Sequence, residues 1–521
     1  MDALLRRFAV AAILTIGAGV LYLALPSAEH HPDGIVNIAA MAERFGPLHW
    51  FAFLRVTLPS HILYDIGVVA VWKLLTALGY GGRALYALST IQAVLAAAGV
   101  GLFFLTLERA LGDRLAALVC SAGLAVSGGY WMYAANLEDI LPSVILFVLA
   151  YRLALWAMRT PGLIPWELCG IVAGISTLAH NTSLMLCGSI AVLACHRRRG
   201  CLGRLAAYSL GLVGSVYFSL AFLGRTFVQV RGPRAMLDWM MYIHNLGLGG
   251  KADVDLPQFA RTVAGALVYD HRIVAIVGAS ACAVLLIWAI VRVAKAQPER
   301  SPVSPRLIAL SALIWVVPML GFAAYWNPRD VEFVAPALPA VWLLLAVGAT
   351  PPRGRRPYLA AIAGLALLLL AANLIFCAIP QSDPQNVRSR RMADALAQRI
   401  EPGALLITPT VCWASVEFAY FHPQVEVLEL GLLRLKRADR DEFERELNAT
   451  LQGALERQRT VYLHTWPDRA LSSWRRLESY GTDIDRIAAI FESNDAQLDF
   501  CLEQEKFYRV SSPKPHLSTN P

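Results

Sequence analysis

Long apolar runs separated by short charged hinges fill the chain up to about residue 380. Runs near 20 residues, the length that crosses a hydrocarbon core as helix, occur at 8–26, 84–108, 113–133, 140–158, 163–180, 182–196, 203–224, 272–294, 307–326, 331–349 and 358–379. They predict about eleven transmembrane helices. The run 8–26 follows Arg6 and Arg7 as a secretory signal would, but it is long enough to span and reads as an uncleaved first helix. Segment 62–79 is apolar too, yet it is short, carries Asp65 and Lys73 and follows an amphipathic stretch, Gly34 to Leu54, so it reads as a juxtamembrane helix.

Past residue 380 the pattern becomes that of a soluble domain. Met392 to Ile400 reads as an amphipathic helix, Ala404 to Ile407 as a buried strand after a Pro-Gly turn, Arg440 to Arg457 as a polar helix and Val461 to His464 as a second strand. Alternating strands and helices predict a small α/β domain. The expected division is a transmembrane domain over 1–380, with outer loops 27–83 and 225–271, and an α/β domain over 381–521.

Charge fixes the orientation of these elements. With the N-terminus inside, Arg109 and Arg114, Arg152 and Arg159, His196 to Arg199, Arg292 to Arg306 and Arg353 to Arg356 all fall in the cytoplasm. Counting 62–79 as a full span would expel every later cluster. The loops around Asn136 to Asp139 and Tyr325 to Glu332, and the C-terminal domain, are then extracytoplasmic, as in a multi-pass inner-membrane protein with a periplasmic domain. The two short runs flanking His180 form a hairpin with its turn outside.

A composition of 57% hydrophobic and 16% charged residues agrees with a chain that needs lipid. The net charge of +8 resides in the hinges and argues against nucleic acid as a partner. The nine cysteines show no CxxC pair; Cys412 and Cys501, in the soluble part, either pair in an oxidising compartment or stay reduced.

Ionisable groups near a bilayer surface are costly unless paired or functional. Asp33, in Glu29-His-His-Pro-Asp-Gly34, follows the first helix and can act as general base for an acceptor hydroxyl or amine; the plain alternative is a solvated turn aspartate. Glu138 and Asp139 share a short outer loop lined by aromatic residues, and are otherwise helix caps. Arg329 suits bidentate contact with a lipid phosphate, unless it is taken up by Asp330 or Glu332. The loop 225–271 mixes Arg225, Arg231 and Arg234 with Trp239 and Tyr242, as phosphate and sugar contacts or as an interfacial helix. His30, His31 and His61 on the same side allow a divalent metal, though their spacing specifies none.

Three stretches together resemble the GT-C superfamily of membrane glycosyltransferases, especially bacterial relatives of protein O-mannosyltransferases and lipid A aminoarabinose transferases. They are Pro32-Asp33-Gly34 with the helix after it, Leu58-Pro-Ser-His-Ile-Leu-Tyr64 through Gly112, and Asn327-Pro-Arg329 with Phe333-Val-Ala-Pro-Ala-Leu-Pro339. Gly34 departs from the family's second acid, and Ser60-His61 from its proline step. The resemblance covers about residues 8–350. It implies a polytopic α-helical fold, a polyprenyl-phosphate sugar donor and a glycan, lipid or protein acceptor. It also implies Asp33 as catalytic base, Glu138 or Asp139 as a second acid, and donor-phosphate contacts at Arg329, His61 and Arg231; it specifies no cofactor and leaves room for a divalent metal. The competing readings are a secondary transporter or flippase, against which stand the lack of an internal repeat and the polar residues gathered at one face, and a non-catalytic receptor or assembly factor.

Overall fold

The computed structural model describes residues 2–30, 34–44, 61–196, 199–223, 232, 234, 255–269, 271–295, 304–351, 354–409, 413–436, 440–468, 471–479, 482–502 and 505–511. Among them, eight helices are long and apolar enough to cross a membrane: Leu5–Ala24, Ala84–Leu111, Ile140–Ala157, Cys201–Leu223, Arg272–Lys295, Pro305–Trp326, Val331–Gly348 and Arg355–Ser382. A pair bent by 60°, Arg114–Ala125 and Gly128–Ala135, makes a ninth, and two shorter apolar helices, Ile164–Ala179 and Asn181–Ala194, flank His180. Every apolar run of the sequence is thereby helical. Ile62–Ala77 is a separate 16-residue helix, outside the set of spans.

The 60° bend has a cause in the sequence Ser127-Gly-Gly129. Gly128 and Gly129 donate their N–H groups to Leu267 and Ala266 carbonyls, each at 2.8 Å. A Cβ on Gly128 would stand 2.7 Å from the Tyr269 nitrogen, so only glycine admits this crossing. Asn373 completes the junction: its amide nitrogen donates to Val126 and Leu267 carbonyls, both at 2.8 Å, and its oxygen accepts from the Tyr269 N–H at 3.0 Å. Broken helix inside a membrane domain survives where neighbouring groups re-satisfy the freed backbone.

Helix Ile164–Ala179 lies unusually close to Cys201–Leu223, because a Cβ on Gly170 would come within 2.1 Å of the Tyr208 carbonyl and one on Gly211 within 2.2 Å of the Glu167 carbonyl. Small residues at such contacts let backbones meet without hydrophobic drive from water. At 16 residues the helix rises about 24 Å, less than the roughly 30 Å of a hydrocarbon core.

The basic hinges meet at the other end of these helices. Arg7 and Arg114 both pair with Glu108 at 3.2 Å, and Arg355 pairs with Asp113 at 2.7 Å. Arg159 donates to the Arg109 carbonyl at 2.8 Å, Arg204 to Ala194 at 2.7 Å, Arg292 to Gly348 at 2.6 Å, Arg306 to Ala294 at 2.9 Å, and Arg152 to Leu105. Except for Arg152, whose partner Leu105 lies inside its helix, these carbonyl-bound guanidinium groups cap helix C-termini of adjacent hinges, where the macrodipole is negative.

The second compact unit comprises Asp383–Pro521 together with Ala28–Asn37 from the first loop. Its sheet runs β2-β1-β3-β5-β4, with β1 Leu405–Thr408, β2 Glu426–Glu429, β3 Val461–His464, β4 Ala496–Leu502 and β5 Glu505–Val510. β1 is parallel to β2 and β3, whereas β5 runs antiparallel to β3 and β4. Side chains alternate between two apolar layers. Leu405, Ile407, Val461 and Leu463 pack with Phe443, Leu447, Leu451, Trp474, Ile487 and Phe491; Leu406, Tyr462 and Phe507 pack with Met392, Leu396, Ala414 and Phe418. Both strands foreseen in the sequence lie centrally in this sheet, and the helices foreseen at Met392 and Arg440 appear as Arg388–Ala397 and Arg440–Glu456.

Candidate functional site

Four segments distant in sequence converge away from the basic hinges. His61 caps the helix Ile62–Ala77, Asp139 immediately precedes Ile140–Ala157, His180 links the two short helices, and Glu332 sits in the turn Val331–Phe333. His61 Nδ1 lies 2.9 Å from Asp65 Oδ1 and 3.6 Å from Asp139 Oδ2. His180 Nε2 lies 3.7 Å from Asp139 Oδ1 and 3.8 Å from Glu332 Oε1. Asp65, Glu138, Asp139, His180 and Glu332 are all buried.

Each member is held by its own support. The i,i+4 spacing of His61 and Asp65 places both on one face at the start of a helix. Gln92 donates from its amide to the Tyr133 carbonyl at 2.9 Å and the Asn136 carbonyl at 2.8 Å, fixing the loop that carries Glu138 and Asp139; Tyr64 in turn donates to the Gln92 oxygen at 3.0 Å. Glu138 Oε1 accepts from the Asp139 N–H at 3.3 Å. Thr182 holds the far side of the His180 ring, its hydroxyl 2.6 Å from Nδ1. Asp330 accepts from the Glu332 N–H at 3.0 Å, and Thr262 anchors the preceding Pro328 carbonyl at 2.7 Å.

The electrostatics are those of excess acid in a dry place. Burial pushes the Asp139 carboxyl up; His180 and His61 oppose this, and Glu138 and Asp65 add to it. Burial likewise raises Asp65 against the pull of His61 and lowers His180, which Asp139 partly offsets. Four carboxyl groups and two imidazoles in one buried cluster attract a cation.

Asp139, His180 and Glu332 each offer one ligand atom, and these atoms lie within 4.8 Å of one another. A divalent ion with bonds of about 2.0–2.1 Å brings ligand atoms to roughly 3.0–3.4 Å apart, so a modest contraction would complete the site. The neutral imidazole that burial favours at His180 is the ligating form. The three side chains are donors that fit a divalent metal, which the sequence left open without specifying. They differ from the histidines singled out there: His61 faces carboxylates, His30 belongs to the second unit, and His31 lies outside the described residues.

Of the residues expected at the site, Asp139 and His61 come together, with Glu138 adjoining them. Arg329 is exposed, three residues before Glu332; among the described residues its guanidinium makes no ion pair with Asp330 or Glu332. Asp33 and Arg231 lie outside the described residues. Asp65, Gln92, His180 and Glu332 were not expected. Their signal was an ionisable or amide group inside or beside an apolar run, which inside a membrane is a functional hint by default.

The architecture, a bundle of apolar helices with a buried acid and imidazole cluster at one end and an α/β domain after it, defines a polytopic membrane protein of GT-C fold. The crystal structure of ArnT from Cupriavidus metallidurans bound to undecaprenyl phosphate matches this chain with a TM-score of 0.59 and 13% identity, over 97% of this chain and 99% of that one. The same protein in its apo state matches equally, with a TM-score of 0.59. No protein-family model and no curated protein matches the sequence.

Proposed function

We propose that this protein is a lipid-linked glycosyltransferase, moving a sugar from a polyprenyl-phosphate carrier to a glycan, lipid or protein of the cell envelope. The observation that carries this reading is the buried meeting of Asp139, His180 and Glu332 at the end of the bundle opposite the basic hinges. The fold shared with a protein crystallised with undecaprenyl phosphate supports it.

A carrier-borne sugar leaves with a phosphate as its leaving group, so transfer needs an acceptor base, a cationic hold on that phosphate and exclusion of water. Asp33 takes the acceptor proton as its oxygen or nitrogen attacks the sugar C1. Glu138 and Asp139 form the second acidic element, which a divalent ion held by Asp139, His180 and Glu332 would partly neutralise. Arg329, with Arg231 and His61, contacts the donor phosphate. By the positive-inside rule the reaction faces the periplasm of an inner membrane, as does the C-terminal domain.

Mass spectrometry of envelope glycans and lipids, with the gene intact, deleted, or carrying Asp33→Asn or Asp139→Asn, tests the reading. A sugar modification present with the intact gene and missing in the other three is expected. Identical spectra from intact and deleted strains, with a solute gradient lost on deletion, would favour a transporter instead.

A further inference from the structure

Cys195 and Cys201 flank the basic hinge between two apolar helices, Asn181–Ala194 and Cys201–Leu223. The Cys201 thiol donates to the Cys195 sulfur at 2.8 Å. Solvent reaches both, since Cys195 is exposed and Cys201 partly exposed, whereas Cys120, Cys169, Cys187, Cys282 and Cys377 are buried. A buried cysteine serves as a small apolar filler. Core packing accounts for those five and not for this pair.

The hinge is folded so that the two thiols stay together. Arg204, in the first turn of the second helix, donates from Nε to the Ala194 carbonyl at 2.7 Å and from Nη1 to the Arg199 carbonyl at 3.2 Å. Gly200, with φ 74°, supplies the left-handed turn that leads into the helix at Cys201. A disulfide bond measures about 2.05 Å, so the sulfurs need approach by less than about 1 Å to join.

We propose that Cys195 and Cys201 are a redox modification site, a pair of thiols that a small-molecule disulfide closes into one intramolecular bond across the hinge. Cys195, the more exposed, attacks as its thiolate; the sulfur–sulfur bond of the oxidant breaks, a mixed disulfide forms on Cys195 and one small thiolate leaves. Cys201 then gives its proton to water and attacks the Cys195 sulfur, releasing the second small thiolate. Two electrons pass from the pair to the oxidant, and a small dithiol reverses both steps. With the hinge in the cytoplasm, as the charge pattern expects, the pair rests reduced, because that compartment keeps thiols reduced. Closure braces the two helices that His180 links. The first, Ile164–Ala179, already meets Cys201–Leu223 closely at Gly170 and Gly211, and the second is then bonded to that same helix. The site stands independently of the transferase reading.

The test treats the full chain in nanodiscs with oxidised glutathione, alkylates the remaining thiols after denaturation and reads the peptides by mass spectrometry. In the wild type, the peptides holding Cys195 and Cys201 should appear joined and lighter by two hydrogens, with dithiothreitol restoring both thiols. Cys201→Ser should stop at the mixed disulfide, so that glutathione on Cys195 rises about tenfold or more. A wild type in which Cys195 keeps glutathione while Cys201 is alkylated overturns the proposal. So does a pair left unmodified under conditions where the exposed Cys501 reacts. The wild-type result decides even where the serine variant fails to fold.

Discussion

His180 Nε2 faces Asp139 Oδ1 across 3.7 Å, although each comes from a different turn and neither is exposed. A buried imidazole and carboxyl at this separation are too far apart for a strong hydrogen bond and close enough to share an ion.

Protein stripped with a chelator and then given Zn2+ or Mn2+ should bind an ion at this site, measured by elemental analysis after gel filtration. His180→Ala and Asp139→Asn should each abolish that binding. Asp139→Asn should also raise the melting temperature of the stripped protein, because it removes one of several crowded buried acids. It should lose the further rise that metal gives the wild type. Equal metal content in wild type and both variants would show that the cluster holds no ion.

The C-terminal domain should show two opposed pH dependences. Burial pushes Glu417 up from 4.5 to about 7, so this group's contribution to stability falls as pH rises across that window. Burial, aided by the Arg390 charge, lowers His30 from 6.5 to about 4, so its contribution grows as pH rises from 4 to 6.5. Each shift corresponds to roughly 3 kcal/mol at its limit, and they offset between pH 4.5 and 6.5. Glu417→Gln should uncover the His30 slope, giving a domain that gains stability as pH rises toward 6.5. Pulse proteolysis in urea at several pH values reads this, and parallel profiles for variant and wild type would count against it.

Asn373 should tolerate alanine better than aspartate. Alanine removes its bonds to Val126, Leu267 and Tyr269, at a cost of about 1–2 kcal/mol. Aspartate would set a carboxylate against two carbonyl oxygens, so the melting temperature in detergent should order as Asn, Ala, then Asp. Aspartate equal to or above alanine would mean that the amide does not hold the bend.

Native cysteines report sidedness. Cys195 and Cys501 are exposed, whereas Cys120, Cys169, Cys187, Cys282 and Cys377 are buried. An impermeant maleimide on cells with a permeable outer membrane should label Cys501 and spare Cys195 until the inner membrane is opened. The reverse order would invert the proposed topology.

Much of the fold is legible from local pattern, because apolar run length and basic hinges act over neighbouring residues. The break in 113–133 is not: Gly128 and Gly129 read as ordinary small residues, and their purpose emerges only against Ala266 and Leu267. The site divides the same way. Glu138 and Asp139 announce themselves as adjacent acids in an outer loop. Asp65 could be read only as a reason to keep its helix out of the membrane, and Glu332 only as a partner for Arg329. His180 lay between two runs too short to assign firmly. Asp139 stands 41 positions before His180 and Glu332 stands 152 after it, so only tertiary packing brings them together.

The burial of the His180 turn bears on wasted turnover. Water competes with any acceptor for an activated sugar, and a spent carrier yields nothing. With His180, Asp139 and Glu332 all buried together, solvent reaches the cluster only past protein, and an acceptor docked there would also keep it out. Selectivity for the acceptor over hydrolysis would then follow from how completely one turn is covered.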